Sequence, residues 1–229
     1  VMFLKNFKEK FLFKTIFIDK EAHIKDVIPE ILKENYIGID TEFTWRNTYF
    51  PELDLIQILA GKKIYIFDYL KMKKVNDLEK IFTNKNSIKV LHSLRSDISI
   101  LSKTFDIDIS NCRDTQIAEN IIRNNFKDQI SYKKLVQKYL NEEIEKSETN
   151  SNWQKRPLKI NQLKYAANDV RYLVKIYLKL EKKLKIENSF NEFLEKCEIE
   201  NKISHKDYLF NRLKKFKAKN KSSSKTKEK

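Results

Sequence analysis

Four acidic residues and one tyrosine occur in three short, well-separated blocks of the sequence. They are Asp40 and Glu42, then Asp97, then Tyr165 and Asp169. Carboxylates that converge in space need cations between them. Two divalent metal ions held about 4 Å apart are a known device for cutting phosphodiester bonds. The sequence can therefore be read as that of a metal-dependent nuclease, provided that the three blocks meet in the fold.

The spacing inside the first and third blocks places each pair of residues on one side of its element. Asp40 and Glu42 are two apart in a predicted strand, so alternation puts both on one face. Tyr165 and Asp169 are four apart in a predicted helix, so they share one helix face. Ordinary explanations also exist: an acidic strand end can be exposed, and a helical Asp can pair with a basic neighbour.

The middle block runs from His92 to Asp97. Asp97 lies at or near the start of a predicted helix, where Ser96 or Asp97 could cap the helix N-terminus. Capping alone would explain an Asp there. His92 closes the preceding predicted strand, and a lone histidine there is more often a satisfied polar residue than a ligand. Both residues depend on the other blocks for a functional interpretation.

The donor types favour a hard cation at such a site. Carboxylate oxygens suit Mg²⁺ or Mn²⁺, which often keep water and substrate phosphates as further ligands. Zn²⁺ would more often recruit His or Cys. The hydroxyl of Tyr165 stays neutral at pH 7 and could orient the attacking water.

The elements that position these blocks follow from hydrophobic periodicity and turn residues. Strands are predicted over 15–18, 36–43, 53–60, 64–69 and 88–92, with a hairpin turn at 61–63. Helices are predicted over 21–34, 75–82, 97–105, 114–123, 131–140 and 160–183, with weaker patterns at 187–202 and 207–217. Pro157 biases Arg156 away from helix, so the long helix should begin just after it. This order indicates an α/β fold with a mixed sheet.

The charge of the chain bears on its partner. The 229 residues carry a formal net charge of +15, which favours a polyanionic partner, either nucleic acid or an anionic membrane. Residues 202–229 hold eleven Lys or Arg against Asp207 and Glu228. We expect this segment to contact phosphates without sequence preference, which would make binding sensitive to salt.

Several protein classes are disfavoured. No apolar run approaches the ~20 residues of a membrane span, and lysines interrupt the Phe- and Ile-rich residues 1–18, unlike a signal peptide. Cys112 and Cys197 are far apart without CxxC spacing, which argues against a disulfide framework and fits a reducing compartment. We expect a cytoplasmic protein that does not act at a membrane, and we infer no obligate protein partner.

Six segments in one order resemble a known family. They are Asp40-Thr41-Glu42-Phe43, Thr48 to Ile58, Val90 to Asp97, Asp114 to Ala118, Lys146 to Leu158 and Tyr165 to Leu173. Together they resemble ribonuclease D, in the DEDDy branch of the DnaQ-like 3′-5′ exonucleases. The likeness covers about residues 15–180, and six ordered segments are far more specific than one Asp-Thr-Glu-Phe string.

The resemblance implies a ribonuclease H-like α/β fold, a five-stranded mixed sheet flanked by helices with a helical C-terminal extension. We accordingly divide the chain into an exonuclease domain at 1–185, the extension at 186–218 and a disordered basic tail at 219–229. The sister branch has His at the position of Tyr165, so by this resemblance the tyrosine places the chain in the DEDDy branch. The implied ligands of two divalent ions, Mg²⁺ or Mn²⁺, are Asp40, Glu42 and Asp169, with Asp97 at the second ion directly or through water.

The same resemblance places Phe43 and His92 beside the terminal nucleotide. The chain also departs from the family pattern. Asp54 stands where Gly is common, and Asn150 and Asn152 stand where Arg and Asp are frequent. The loop that contains the two asparagines is therefore expected to contact substrate differently.

The activity implied is 3′-5′ exoribonuclease hydrolysis that releases nucleoside 5′-monophosphates, with RNA that has a free 3′ end, such as tRNA precursors, as partner. One alternative is a 3′-5′ DNA exonuclease, because the catalytic residues do not recognise the 2′-OH. Another is a non-catalytic RNA-binding or scaffold protein on the same fold, although degenerate relatives would be expected to lose acids that this chain keeps. A basic α/β domain with scattered acids is the third.

Overall fold

A computed structural model describes residues 2–3, 13–45, 51–72, 75–145 and 148–204. Within these ranges one mixed sheet carries helices on both faces, so the predicted α/β class is confirmed. The predicted helix at 207–217 and the basic tail at 219–229 lie outside the described residues. So do residues 46–50 and 146–147, and 48–50 and 146–147 belong to two of the family-like segments.

Seven strands of the described chain form the sheet, in the order β1-β2-β5-β4-β3-β6-β7. The five predicted strands are present, but the expected total of five is wrong. The additional strands β1 and β7 are two and three residues long, too short to show an alternating pattern. The strands are β1 (Met2–Phe3), β2 (Lys14–Ile18), β3 (Tyr36–Thr44), β4 (Glu52–Ala60), β5 (Lys63–Phe67), β6 (Ile88–Leu91) and β7 (Cys112–Asp114).

The central strands β3, β4 and β5 form an antiparallel meander that contains the predicted hairpin turn, and β6 and β7 continue the sheet in parallel beyond β3. The turn between β4 and β5 contains Gly61, whose φ is +56°. A Cβ atom there would lie 2.6 Å from Oε1 of Glu34. Glycine is therefore favoured at this turn by its backbone conformation, whereas the flexible Glu34 side chain could move to make space.

The helices agree with the predicted positions, except that one predicted helix is divided and the short helix α2 was not predicted. The predicted helix over 160–183 is two helices separated at Tyr172, whose N–H donates to the hydroxyl oxygen of Tyr132 at 3.0 Å. The helices are α1 (Ile24–Leu32), α2 (Tyr69–Met72), α3 (Glu79–Thr83), α4 (Arg95–Phe105), α5 (Thr115–Ile122), α6 (Tyr132–Leu140), α7 (Ile160–Arg171), α8 (Leu173–Ile186) and α9 (residues 190–204). Short 3₁₀ turns cover Glu21–His23 and Asn76–Leu78.

The sheet separates two hydrophobic cores. In the first core, Ile37 and Ile39 of β3 pack with apolar side chains of α1, α3 and α4. In the second core, Leu55 and Leu59 of β4 pack with those of α5 to α9. Alternation along the strands thus assigns each strand residue to one of two environments.

Gly38 brings the second helical layer close to β3. A Cβ atom on Gly38 would lie 3.2 Å from both Cβ of Leu173 and the carbonyl oxygen of Val170. The junction of α7 and α8 therefore lies directly against the strand that carries the first acidic block. Ala166 and Ala167 are both buried in α7, and their small side chains let the helix lie close to the sheet.

Helix α9 matches the predicted helix at 187–202, and the predicted boundary after residue 185 falls in the last turn of α8. α9 contributes Phe193 and Cys197 to the second core. The hydroxyl of Ser99 in α4 donates to the carbonyl oxygen of Ser204 at 2.6 Å, and Arg95 forms an ion pair with Glu200. These contacts join α9 to the helix that carries Asp97.

Among the described helices, none has the length and apolar character needed to span a membrane.

Candidate active site

Strand β3 presents its two acids to the second core. Ile37 and Ile39 lie in the first core, so Asp40 and Glu42 point to the opposite face, beneath α7. Thr41, between them, points back toward α4 and is buried. The predicted placement of both acids on one face therefore agrees with the register of the sheet.

Helix α7 brings the third block to these acids. It begins at Ile160, shortly after Pro157 as predicted, and the side-chain oxygen of Gln162 accepts the N–H of Lys159 at 2.9 Å.

Its Asp169 completes a group with Asp40 and Glu42 in which one carboxylate oxygen from each residue lies within 4.8 Å of the others. All three side chains are half-buried. We refer to these three residues as the acidic cluster. Three residues separated by up to more than half of the chain therefore converge at one place on the sheet.

The electrostatic surroundings of Glu42 are unfavourable to its ionisation in the absence of a cation. Burial raises the pKa of Glu42 well above its ordinary range, and the charges of Asp169, Asp97 and Asp54 raise it further. Every one of these influences opposes ionisation. An all-oxygen donor set of this kind fits a hard divalent cation, whose charge would reverse the repulsion.

Asp97 lies behind the acidic cluster. It is 6% exposed, and its Oδ1 accepts a hydrogen bond from the hydroxyl of Thr41 at 2.5 Å. Burial raises the pKa of Asp97 to about 7. Helix α4 begins at Arg95, and its N-cap residue is Leu94, whose side chain makes no capping hydrogen bond. The suggestion that Ser96 or Asp97 caps this helix is therefore wrong, because the Asp97 carboxylate is turned toward β3.

Tyr165 lies beside the acidic cluster on the same helix as Asp169. Its hydroxyl is 3.3 Å from Oγ1 of Thr149, and its ring packs on Trp153 with centroids 5.9 Å apart. Burial and the charge of Asp169 raise the pKa of the Tyr165 hydroxyl. The phenol is therefore held protonated, as a hydrogen-bond donor, next to the carboxylates.

The loop before α7 is anchored by an ion pair that the sequence did not reveal. Arg156 donates from Nε and Nη2 to the two oxygens of Asp68, both at 2.6 Å, and from Nη1 to the carbonyl oxygen of Trp153. Asp68 is buried directly after β5. Because 88 residues separate the two partners, no local pattern could have paired them.

Two residues predicted beside the terminal nucleotide have protein contacts. Phe43 packs against the first core and edge-on against Trp45, with ring centroids 6.3 Å apart. In His92, Nδ1 lies 3.0 Å from Oγ1 of Thr115, and Nε2 lies 3.1 Å from the carbonyl oxygen of Ile130. A contact of either residue with a nucleotide stays a prediction.

Thr41 is a site residue whose role sequence reasoning missed. Alternation shows that it faces away from Asp40 and Glu42, but nothing local identifies its partner. Asp97 is 56 residues away. The hydroxyl links the carboxylate of α4 to the strand that carries the first two acids.

Comparison with known proteins places this geometry in a family. Residues 15–185 match the family model described as 3′-5′ exonuclease. The chain belongs to the 3′-5′ exonuclease family.

Curated relatives of this exonuclease chain are ribonucleases D. The chain is 39% identical over 157 residues to ribonuclease D of Desulfotalea psychrophila, covering 68% of this chain and 41% of that protein. It is 38% identical over 152 residues to ribonuclease D of Haemophilus influenzae, covering 66% of this chain and 38% of that protein. The chain thus spans about two fifths of the length of these curated relatives. The resemblance identified in the sequence is confirmed.

Solved structures share the fold. One is Escherichia coli RNase D, described as an exoribonuclease involved in structured RNA processing, with a TM-score of 0.79 and 26% identity, covering 84% of this chain and 51% of that one. Another is Brucella melitensis NrnC with bound Mg²⁺, with a TM-score of 0.72 and 23% identity, covering 83% of this chain and 91% of that one. The second shows the fold alone. Family membership and the acidic cluster together support the use of a divalent metal.

Proposed function

We propose that this chain is a 3′-5′ exoribonuclease that shortens RNA from a free 3′ end and releases nucleoside 5′-monophosphates with two divalent ions, Mg²⁺ or Mn²⁺. The observation that carries the proposal is the convergence of oxygens from Asp40, Glu42 and Asp169 within 4.8 Å in a chain of the 3′-5′ exonuclease family. Scattered acids on a basic domain would not produce this convergence.

The residues have distinct roles in this proposal. The acidic cluster would hold the metal, with Asp97, fixed by the Thr41 hydroxyl, completing the second ion's surroundings. When bound, divalent ions supply charge that stabilises the attacking and leaving oxygens of a phosphodiester. Tyr165 presents a protonated hydroxyl beside the carboxylates and would orient the attacking water.

Charge and the names of the relatives support a proposal for the substrate class. A formal net charge of +15 favours a polyanion, and the curated relatives are named ribonuclease D. We therefore propose RNA rather than DNA, with tRNA precursors as the natural class. Cys112 and Cys197 are free thiols buried in the fold, which fits the proposed cytoplasmic location.

The test uses matched RNA and DNA oligomers, each with a 5′ label and a free 3′ end, incubated with the full chain and Mg²⁺. We expect RNA to shorten one nucleotide at a time, with nucleoside 5′-monophosphates as products and no reaction in EDTA. RNA blocked at its 3′ end should persist. Degradation of DNA alone would overturn the substrate assignment, and internal fragments as the first products would overturn the exonuclease assignment.

The basic segment is proposed to add phosphate contacts, and its contribution can be measured separately. RNA affinity is compared against salt concentration for the full chain and for a chain ending at Ser204, which keeps the hydrogen bond from Ser99 to the Ser204 carbonyl. Loss of phosphate contacts should make the salt dependence of the shorter chain less steep. Equal slopes would remove this role.

A further inference from the structure

Gln57 is a fully buried polar side chain whose carboxamide has no partner. The residue is 0% exposed, and neither Oε1 nor Nε2 has a hydrogen bond. Burying an amide in this state is unfavourable, because it loses its bonds to water and gains none. Since most buried polar side chains are hydrogen-bonded, Gln57 calls for a specific explanation.

The sheet register places Gln57 next to a residue of the acidic cluster. Gln57 of β4 and Asp40 of β3 are directly opposed in the antiparallel pair. Residues in that relation point to the same face, with Cβ atoms about 4.5–5.5 Å apart. Leu55 and Leu59, which flank Gln57 on the same face of β4, lie in the second core beneath α7. The carboxamide is therefore on the side of the sheet where the acidic cluster assembles.

The chemistry of a carboxamide suits this place. Carboxylates that bind metals are usually held by further hydrogen bonds to the oxygen that the metal does not use. The donor must not be a cation, because a Lys or Arg would neutralise the carboxylates and compete with the metal. The Nε2 group of Gln57 is a neutral donor with two hydrogens.

We propose that Gln57 is a positioning residue for Asp40: its Nε2 donates to the Asp40 carboxylate when that carboxylate binds a divalent ion. The inference rests on the proposed function, since it supposes that the acidic cluster binds such an ion. In the metal-free protein the carboxamide then has no role, and its burial is a cost to stability that serves metal binding.

If Gln57 has this role, one substitution should stabilise the metal-free protein and weaken its binding of Mn²⁺. Gln57→Met keeps the length of the side chain and removes both polar groups. The metal-free variant should melt at a higher temperature than wild type, because an unpartnered amide has been removed from the core. Its affinity for Mn²⁺ should fall about 10-fold or more, the usual effect of losing an outer hydrogen bond to a ligand.

A matched control removes a buried unpartnered group elsewhere. The hydroxyl of Ser102 in α4 is also buried without a partner, and Ser102 is not in the acidic cluster. Ser102→Ala should therefore leave the affinity for Mn²⁺ at the wild-type value. This control separates a general effect of core polarity from an effect on the metal site.

The experiment measures Mn²⁺ binding to the full chain by electron paramagnetic resonance and melting in EDTA by calorimetry, for wild type and both variants. Weaker Mn²⁺ binding with a higher melting temperature in Gln57→Met, and unchanged binding in Ser102→Ala, would support the proposal. Unchanged binding in Gln57→Met would overturn it, and so would a lower melting temperature or an unfolded variant, which would show that the amide stabilises the metal-free fold. Wild type that binds no Mn²⁺ would instead contradict the proposed function itself.

Discussion

The carboxylate at the junction of β7 and α5 and the carboxylate of Glu42 in the acidic cluster have opposite surroundings. At the junction, Asp114 is buried and caps α5. Burial raises its pKa, but four backbone N–H groups act against that effect by donating to its two oxygens. The donors belong to Ser93, Leu94, Gln116 and Ile117. Here the fold supplies the hydrogen bonds that a buried carboxylate needs.

Around Glu42 of the acidic cluster, the surroundings add repulsion instead. Burial and three neighbouring carboxylates all raise the pKa of Glu42. The Asp114 carboxylate has four donors within the fold, whereas the surroundings of Glu42 favour a cation beside it. The contrast teaches that a carboxylate with unfavourable surroundings is a better marker of function than burial alone.

The largest expected effect is a loss of activity when an aspartate of the acidic cluster is replaced. Asp40→Asn and Asp169→Asn should each lower the rate of RNA shortening by about a thousandfold, because each removes a charged metal ligand. The measurement is single-turnover decay of 5′-labelled RNA with saturating Mn²⁺. Asp77→Asn, at an exposed ion pair with Lys80, is the control for loss of one negative charge. Wild-type rates in both cluster variants would contradict the assignment.

The structural side of the contrast is tested at Asp114. Asp114→Ala removes the cap of α5 and leaves four backbone donors without their acceptor. We expect the free energy of unfolding in EDTA to fall by about 4 kcal/mol. Urea denaturation measures it. A loss below about 0.5 kcal/mol would show that these hydrogen bonds contribute little.

A third carboxylate, that of Asp54, extends the comparison to the pH dependence of stability. Asp54 is fully buried and accepts a hydrogen bond from the Thr44 hydroxyl, yet burial raises its pKa to about 6 from the ordinary 3.8. Because the folded pKa is the higher one, its stabilising contribution is present below about pH 4 and is lost as pH rises through 6. Asp54→Asn should remove that loss.

The variant should therefore be more stable than wild type at pH 8 by about 3 kcal/mol and nearly equal to it at pH 4. Comparing wild type with Asp54→Asn in EDTA at both pH values cancels the titration of the other acids. An equal difference at pH 4 and pH 8 would exclude a raised pKa at this position.

The smallest effect concerns Glu42. Its pKa is raised, so its ionisation destabilises the metal-free protein as pH rises above the ordinary value of 4.5. Glu42→Gln should raise the free energy of unfolding in EDTA at pH 8 by about 1 kcal/mol. Added Mg²⁺ should then stabilise wild type more than the variant. A variant that is less stable than wild type in EDTA would contradict the contrast with Asp114.

Local periodicity predicted the parts of the site that lie within one element. Two-residue alternation placed Asp40 and Glu42 on one face of β3, and four-residue spacing placed Tyr165 and Asp169 on one face of α7. The same periodicities predicted the positions of most strands and helices, but not of the short elements β1, β7 and α2. Periodicity did not predict whether these elements would meet in the fold. Only the family resemblance predicted that they would.

Contacts between segments that are far apart in the chain could not be predicted from the sequence. The division of the predicted helix 160–183 depends on the hydroxyl of Tyr132, 40 residues from Tyr172. The orientation of Asp97 depends on Thr41 rather than on helix capping. The partnerless state of Gln57 is a property of the packed core. Each is decided by packing between elements, which no periodicity encodes.

The central claim is that the acidic cluster exists to hold divalent cations, and diffraction from Mn²⁺-soaked crystals tests it directly. Anomalous difference maps at a wavelength where manganese scatters strongly would locate the ions. The account predicts peaks in contact with the carboxylate oxygens of Asp40, Glu42 and Asp169. Manganese bound elsewhere on the protein, with no peak at these three residues, would contradict it.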